Sequence, residues 1–330
     1  MYFVWNLISI LLAYAANFLV VLPGLILLSL IHGFHPIPFL DELWNLGIKG
    51  FMALPVPQNM LTAIIAFYVV IATIAGLFGF VGGYFPPTRF IQRIALGCRI
   101  PSPEQLDQIR AAMDYISRRS GMDWTGKFNY YVQNDLDLNA FASGVRDITV
   151  TTGALAEMDT PRLAGVLAHE MGHHAHGDTR TLLFIQGISY LGQLSIFMVR
   201  ILNALFLVLK YIPFLNFVAA IFISILNICL TIACLIQRIP YAFFNLFCTR
   251  RIENAADTYT VKLGMGEEFI DAMQWIMDKG GDVSWFMSFF SDHPRSKRRI
   301  ARVKKLMEKQ KQKDAAAMTT AAEIDSSKER

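Results

Sequence analysis

A run of five residues, His169-Glu170-Met171-Gly172-His173, has the residue types and spacing of a metal site. On a helix, side chains at i and i+4 lie on one face about one turn apart, so both imidazoles can bind the same ion. Glu170 lies beside that face, where its carboxylate can take a proton from a water molecule. The motif predicts metal-dependent hydrolysis, and a solvated histidine-rich helix end is the alternative.

A hydrolytic zinc site needs a third protein ligand and an open position for water. The sequence has no acidic residue between Asp178 and Glu253, so Glu253 is the first downstream carboxylate. Asp257 follows four positions later on a predicted helix and can accept a hydrogen bond from the outer nitrogen of a ligand histidine. The pattern therefore predicts Glu253 as the third ligand of one zinc ion per chain, with a solvated acidic face as the alternative.

Capping signals predict the helices that must carry these side chains. Ser102-Pro103-Glu104-Gln105 predicts a helix from Pro103 to Ser120, and Thr160-Pro161 begins the helix of the histidine motif, which ends near Gly177. Three more helices are predicted at Thr249 to Leu263, at Glu267 to Lys279 and after Pro294. Aromatic and β-branched residues predict short strands at Phe128 to Val132, Asn139 to Ala142 and Asp147 to Thr151.

Two apolar blocks indicate a membrane protein. Apolar residues make up 54% of the chain and charged residues 17%, and the block 181–237 contains only Arg200 and Lys210 as charged residues. This composition excludes a disordered chain and argues against an ordinary soluble enzyme. Uncharged stretches long enough to cross a bilayer predict four spans, Met1 to Ile31, Leu61 to Tyr84, Leu182 to Val199 and Pro213 to Ile236.

The apolar blocks divide the chain into an N-terminal transmembrane hairpin (1–85), a first soluble part (86–180), a second hairpin (181–237), a second soluble part (238–310) and a mobile or loosely helical tail (311–330). Short-loop basic residues follow the second and fourth spans and predict that both soluble parts face the cytoplasm: Arg89, Arg93, Arg99, Arg238, Arg250 and Arg251. Each hairpin returns the chain to the same side, so we expect the two soluble parts to join into one domain.

Four motifs in order resemble the HtpX-type membrane metalloproteases, which are related to the CAAX prenyl proteases and the OMA-type proteases. They are Asn139-Ala140-Phe141-Ala142-Ser143-Gly144, the HExxH helix, the ExxxD helix placed after a membrane hairpin, and His293-Pro294 with Arg299 six residues after the histidine. The resemblance covers most of the chain. It implies an α+β, mostly α fold, with a cytoplasmic zincin-like domain that contains a small β-sheet.

The resemblance also assigns roles to single positions. It makes His169, His173 and Glu253 the zinc ligands and Glu170 the general base, with Asp257 as a carboxylate behind the ligands. It makes His293 and Arg299 candidates for substrate positioning or oxyanion stabilisation, and a helix-start role is the alternative for His293. The segment Asn139, Ala140, Phe141 and Ala142 is expected to bind a substrate strand, with a buried turn as the alternative.

By the same analogy, we expect an endopeptidase of the bacterial inner membrane that cleaves membrane proteins in stress-linked quality control. Lipid bilayer and membrane-protein substrates are the expected partners, nucleic acid is not, and a regulatory membrane protease partner is left open. Three other functions compete: intramembrane cleavage, CAAX prenyl-type proteolysis and a non-catalytic zinc-containing scaffold or chaperone. The first is disfavoured because no predicted span carries an acid.

Overall fold

The computed structural model describes residues 2–34, 60–243, 249–279 and 296–328. The helices are α1 (Tyr2–Phe34), α2 (Met60–Gly82), α3 (Pro86–Ala95), α4 (Pro103–Ser120), α5 (Thr152–Glu157), α6 (Thr160–His176), α7 (Asp178–Leu209), α8 (Asn216–Phe243), α9 (Thr249–Lys262), α10 (Gly266–Asp278) and α11 (Ser296–Lys328). The strands are β1 (Cys98–Arg99), β2 (Asn129–Gln133), β3 (Ala140–Ser143) and β4 (Asp147–Thr151).

The chain divides into two compact units. The first consists of Met1–Gly83 and Thr181–Asn245, and the second of Tyr84–Arg180 and Leu246–Arg330. Each unit is thus built from two separate stretches of sequence.

The first unit contains apolar helices that make close backbone contacts and polar contacts with one another. In α1, Asn17 is 1% exposed, and its side-chain oxygen accepts a hydrogen bond from Gln237 Nε2 of α8 at 2.7 Å. Polar side chains that pair across apolar helices satisfy each other where no water is available. A Cβ atom at Gly79 of α2 would lie 2.5 Å from the Leu183 carbonyl of α7, so this approach requires glycine.

Three helices of the described part of the chain are long and apolar enough to cross a membrane. Their apolar segments are Ile65–Gly82, Asp178–Leu209 and Asn216–Pro240. The prediction of four spans is wrong for these residues, because the described apolar segment of α1, Asn6–Leu22, is shorter than the others. It reaches only the lower limit of about 17 residues that a bilayer-crossing helix needs.

The second unit contains a four-stranded mixed sheet of order β1-β2-β4-β3. The strands β2 and β4 are parallel, while β1 pairs with β2 and β3 pairs with β4 in antiparallel fashion. The three predicted strands are confirmed within one or two residues, and β1 was missed because two residues carry no readable alternation. The order leaves β3 at one edge of the sheet.

Capping chemistry sets the helix bounds of the second unit. The capping box at Ser102 is present, since its hydroxyl accepts from the Gln105 N–H and Gln105 accepts from the Ser102 N–H, and α4 ends before Gly121 as predicted. The helices α3 and α5 were not predicted from sequence. The last helix, α11, continues to Lys328, so the tail expected to be mobile or loosely helical is helical as far as this residue.

The core of the second unit lies between the sheet and the helices α4 and α6. Ile116 of α4, Ile148 and Val150 of β4 and Leu167 of α6 are fully buried there. A second cluster joins α10 to α11 through side chains such as Phe269 and Val303. The helix α6 therefore packs on one side against the sheet and α4, and it also contacts α9 and α10.

We expect Leu167→Ala to lower the free energy of unfolding by about 2–5 kcal/mol, because it opens a cavity in this core. The matched control is Leu136→Ala, since Leu136 is 88% exposed and its loss should change stability by less than about 0.5 kcal/mol. Denaturant unfolding of the detergent-purified protein measures both changes. Equal effects of the two substitutions would contradict the described position of α6.

Candidate active site

The helix α6 presents His169, Glu170 and His173 near its C-terminal end. It begins where the Asp159 side chain accepts a hydrogen bond from the Arg162 N–H at 3.1 Å, and it ends at Gly177, whose φ of 77° is left-handed. All three motif side chains are buried, with exposures of 2%, 3% and 9% in chain order. Buried ionisable groups of this kind require partners, and neighbouring helices and the strand β3 supply them.

A glycine inside the motif lets the helix α9 approach α6 closely. A Cβ atom at Gly172 would lie only 2.7 Å from Ala256 Cα, so a larger residue would push the two helices apart. At this spacing the Glu253 carboxylate reaches both motif histidines. Its Oε2 lies 3.2 Å from His169 Nε2, and its Oε1 lies 3.7 Å from His173 Nε2.

These distances fit a single metal ion shared by two imidazoles and one carboxylate. Ligand atoms bound tetrahedrally at about 2.1 Å from zinc lie about 3.4 Å from each other, and the two nitrogen–oxygen distances lie on either side of this value. Ligand atoms of His169, Glu170 and His173 also lie within 4.8 Å of one another. The geometry therefore brings together the predicted ligands His169, His173 and Glu253.

The ring of His169 is held from three sides. Its Nδ1 lies 3.3 Å from Asp257 Oδ1, and its face stacks on Phe269 of α10 with 4.9 Å between ring centroids and 10° between planes. Burial alone would lower the pKa of His169, but hydrogen bonds with Asp257 and Glu253 outweigh it and raise the pKa to about 9. The groups around His169 favour its protonated, positively charged form. They would therefore also favour a bound metal ion, which displaces that proton.

Arg299 of α11 is directed at the carboxylates of α9. Its Nη1 lies 2.8 Å from Glu253 Oε2, and its Nη2 lies 2.7 Å from Asp257 Oδ1. The residue is 8% exposed, so the ion pairs are formed away from water. Burial works against the charge of Arg299, but the two carboxylates outweigh it and raise its pKa. The guanidinium thus fixes the orientation of both acids of the ExxxD motif.

Asp178 is a site residue that the sequence reasoning missed. Its Oδ2 lies 3.2 Å from His173 Nδ1, so it contacts the Nδ1 atom of this histidine in the same way as Asp257 contacts that of His169. Asp178 is 3% exposed, and burial and then the charge of Glu253 raise its pKa to about 8. The signal that could have found it is its position five residues after His173, since Gly177 turns the chain back before α7 begins.

The edge strand β3 contacts the proposed base directly. The Ala142 N–H donates a hydrogen bond to Glu170 Oε2 at 2.8 Å. Thr151 N–H donates to the Asn139 carbonyl, and because hydrogen-bonded pairs alternate in an antiparallel ladder, Phe141 also turns its backbone groups to β4. The backbone groups of Ala140 and Ala142 therefore point away from β4, to the side of the strand on which Ala142 meets Glu170, and Ala140 is 2% exposed.

The remaining predicted residues divide into three cases. His293, the second predicted catalytic residue, lies outside the described residues. Asn139 pairs with Thr151 at the end of β4, while Ala140, Phe141 and Ala142 belong to β3. His174, the residue that follows the motif, is 7% exposed, and its Nε2 lies 2.9 Å from the Asp147 carbonyl oxygen. His174 therefore joins α6 to the sheet and does not face Glu253.

The HExxH helix α6 packs against the ExxxD helix α9, whose Glu253 carboxylate lies near both motif histidines, and β3 lies beside Glu170. A site of this kind defines the class of HExxH metallopeptidases. The sequence model of peptidase family M48 matches residues 103–307, so the chain belongs to that family. The chain is 31% identical over 132 residues to a Protease HtpX homolog of Bacillus licheniformis and 35% identical over 138 residues to Protease HtpX of Erwinia tasmaniensis.

These matches cover 36% and 40% of this chain, and 44% and 46% of the two relatives. A third relative, Protease HtpX of Shewanella baltica, is 29% identical over 120 residues, which are 34% of this chain and 42% of the relative. The chain thus matches less than half the length of the curated relatives. The resemblance to HtpX-type metalloproteases is confirmed.

We expect Asp178→Ala to weaken metal binding by about 10–100-fold, because it removes the carboxylate that orients His173. The control is Thr179→Val, which removes a neighbouring hydroxyl that lies 3.4 Å from His174 Nδ1 and leaves the Asp178 carboxylate in place. Competition with a chromophoric chelator measures the affinity of both variants for zinc, and thermal unfolding without metal measures their stability. An affinity of Asp178→Ala equal to that of Thr179→Val would contradict the assignment.

Proposed function

We propose that this chain is a membrane-embedded, zinc-dependent endopeptidase. The observation that carries the proposal is the position of Glu253 between His169 Nε2 and His173 Nε2, with Glu170 beside them on the same helix. Two imidazoles and one carboxylate are the ligand set typical of catalytic zinc, which keeps a fourth position for water. A structural zinc site would use a fourth protein ligand, and Cys98, Cys229 and Cys234, the described cysteines, belong to other parts of the fold.

When bound, zinc supplies a Lewis acid that lowers the pKa of a water molecule to about 7 and polarises a carbonyl group. His169, His173 and Glu253 would hold it. Asp257 and Asp178 contact the Nδ1 atoms of the two rings, and both Nε2 atoms face the Glu253 carboxylate. Arg299 holds the Glu253 and Asp257 carboxylates and offsets part of their negative charge.

Glu170 is the general base of the proposed reaction. The hydrogen bond from the Ala142 N–H fixes one carboxylate oxygen, and the carboxylate can take a proton from water and pass it to the leaving amine. The Ala142 carbonyl points to the same side of β3 as its N–H and can accept a hydrogen bond from an extended peptide, which would bind as an added strand. Phe141 is a further proposed substrate contact, and oxyanion stabilisation by His293 stays a prediction from sequence.

We expect Glu170→Gln to lower peptide-bond cleavage by about 10²–10⁴-fold, because the amide cannot act as a base. Zinc content should stay at the level of the unaltered protein, since Glu170 is not one of the three proposed ligands. The measurement compares cleavage of an unfolded membrane protein with the zinc content of the same detergent-purified samples.

The control for this experiment is Glu267→Gln, which changes a carboxylate whose side chain is 66% exposed and should leave cleavage unchanged. Chelation should abolish cleavage, and added zinc should restore it. Full cleavage by Glu170→Gln would exclude the proposed base, and cleavage that persists in chelator would exclude the metal mechanism.

We also propose that the substrates are membrane proteins cleaved near the cytoplasmic surface of a bacterial inner membrane. Asp178, which contacts His173, is the first residue of α7, and α7 is long and apolar enough to cross a membrane. This continuity supports a site near the end of a span, where membrane-bound chains have the easiest access. The arginines after the spans support the cytoplasmic side, and quality control under stress is the proposed role.

A membrane-anchored unfolded substrate should be cleaved faster than its soluble counterpart at matched concentration, because the anchor holds it near the site. Proteoliposomes that contain the enzyme, with each substrate added in turn, measure the two initial rates. The control places the anchored substrate in separate vesicles, where the advantage should disappear. Equal rates for anchored and soluble substrates would contradict the preference for membrane proteins and would leave the peptidase proposal standing.

A further inference from the structure

The short helix α3 exposes the apolar face that a soluble domain would bury. Phe90, Ile91 and Ile94 lie at the i, i+1 and i+4 positions of one helix face and are 52%, 63% and 60% exposed. The neighbouring Phe85 and Ile100 are 57% and 67% exposed. Contiguous exposed apolar patches mark sites of protein or membrane interaction, whereas isolated apolar residues do not.

The arginines of α3 lie on the opposite side and are partly buried. The Arg93 guanidinium carbon is 5.8 Å from the centroid of the Tyr131 ring on β2 and 5.0 Å from that of the Phe90 ring. Arg89 and Arg93 are four positions apart and share one face. A helix on the surface of a water-soluble domain packs its apolar face against the core. In α3 the charged face meets the sheet, and the apolar face is exposed.

The position of α3 in the chain points to lipid as the occupant of the apolar face. Pro86 follows Gly82, the last residue of the apolar segment Ile65–Gly82, by four positions, and four extended residues span at most about 14 Å. A chain that leaves the hydrocarbon at Gly82 thus begins α3 within the interfacial region of the bilayer. Amphipathic helices in this region lie in the membrane plane with the apolar face towards the acyl chains.

The charge of this segment fits an anionic headgroup layer. Residues 84–103 contain Arg89, Arg93 and Arg99 and no acidic residue. The negative potential of an anionic lipid surface extends over about one Debye length, roughly 8–10 Å, so it attracts these arginines even though those of α3 lie on the helix face opposite the apolar one. Lipid therefore explains both the exposed apolar side chains and the excess positive charge, whereas an apolar protein surface would explain only the first.

We propose that α3 lies in the membrane interface and anchors the catalytic unit to the lipid surface, with Phe90, Ile91 and Ile94 inserted among the acyl chains. The inference rests on the proposed membrane location and not on peptidase activity. It goes beyond the proposed reaction, because it assigns a lipid-binding surface outside the metal site.

The experiment places a polarity-sensitive fluorescent amino acid at position 91 of the full-length protein, in vesicles of phosphatidylcholine and phosphatidylglycerol in equal amounts. The matched control carries the same probe at Asp107, whose side chain is 76% exposed on α4. We expect the probe at 91 to be quenched by lipids with a nitroxide near the headgroup and to be several-fold less quenched by aqueous iodide than the probe at 107. A probe at 94 should repeat the result.

Iodide quenching at 91 and 94 equal to that at 107 would overturn the proposal. A photoreactive amino acid at position 91 distinguishes lipid from other occupants of the apolar face. A cross-link to a second copy of the chain or to a substrate, in place of lipid, would also overturn the proposal. Vesicles without phosphatidylglycerol should give weaker nitroxide quenching, and no change there would overturn the role of the arginines. None of these readouts requires cleavage, so a failed peptidase assay does not affect them.

Discussion

The close contact between α6 and α9 is the constraint on which the site depends. Gly172 leaves no side chain between the two helices, and Ala256 adds only a methyl group on the facing side. This small separation lets one carboxylate, that of Glu253, lie within 3.7 Å of both motif histidines. A larger residue at either position would move α9 outward and separate the ligands that the motifs supply.

Charge balance is the second requirement of this contact. Glu170, Glu253, Asp257 and Asp178 are all buried around the two histidines, and Arg299 supplies one positive charge to them. Buried charges are costly unless they are paired, so this excess of carboxylates favours a further cation. The nearby carboxylates also raise the pKa of His169, because they favour a proton on its ring. A metal ion would supply two positive charges at this place. Phe269 and Arg299, which come from two later helices, complete the pocket.

The two apolar helices α7 and α8 separate the ligand helices in sequence. Two consecutive spans return the chain to the side from which it left, whether or not α1 crosses the membrane. The segments that carry His173 and Glu253 can therefore meet on one side even though the chain has three candidate spans among its described residues and not four. Asp178, the first residue of α7, contacts a motif histidine within the second unit.

Short-range signals in the sequence determined much of this protein. The capping box at Ser102, the helix spacing of His169 and His173, and the i, i+4 spacing of Glu253 and Asp257 depend on local geometry that any isolated helix shares. The number of spans did not follow in this way, because the described apolar segment of α1, Asn6–Leu22, lies at the lower length limit. The sequence also could not show that β3 is an edge strand, since strand order depends on pairing between distant segments.

Apart from Asp257, only the tertiary structure decided which groups hold the ligands. Asp178, Phe269 and the Ala142 N–H reach the site from a helix start, a third helix and a strand edge, and no fixed spacing marks such contacts in sequence. The orientation of α3 was decided in the same way, because an amphipathic pattern predicts two faces without showing which one meets the sheet. Local residue spacing therefore determined the chemistry of the ligands, while long-range packing determined their orientation and the exposed apolar surface.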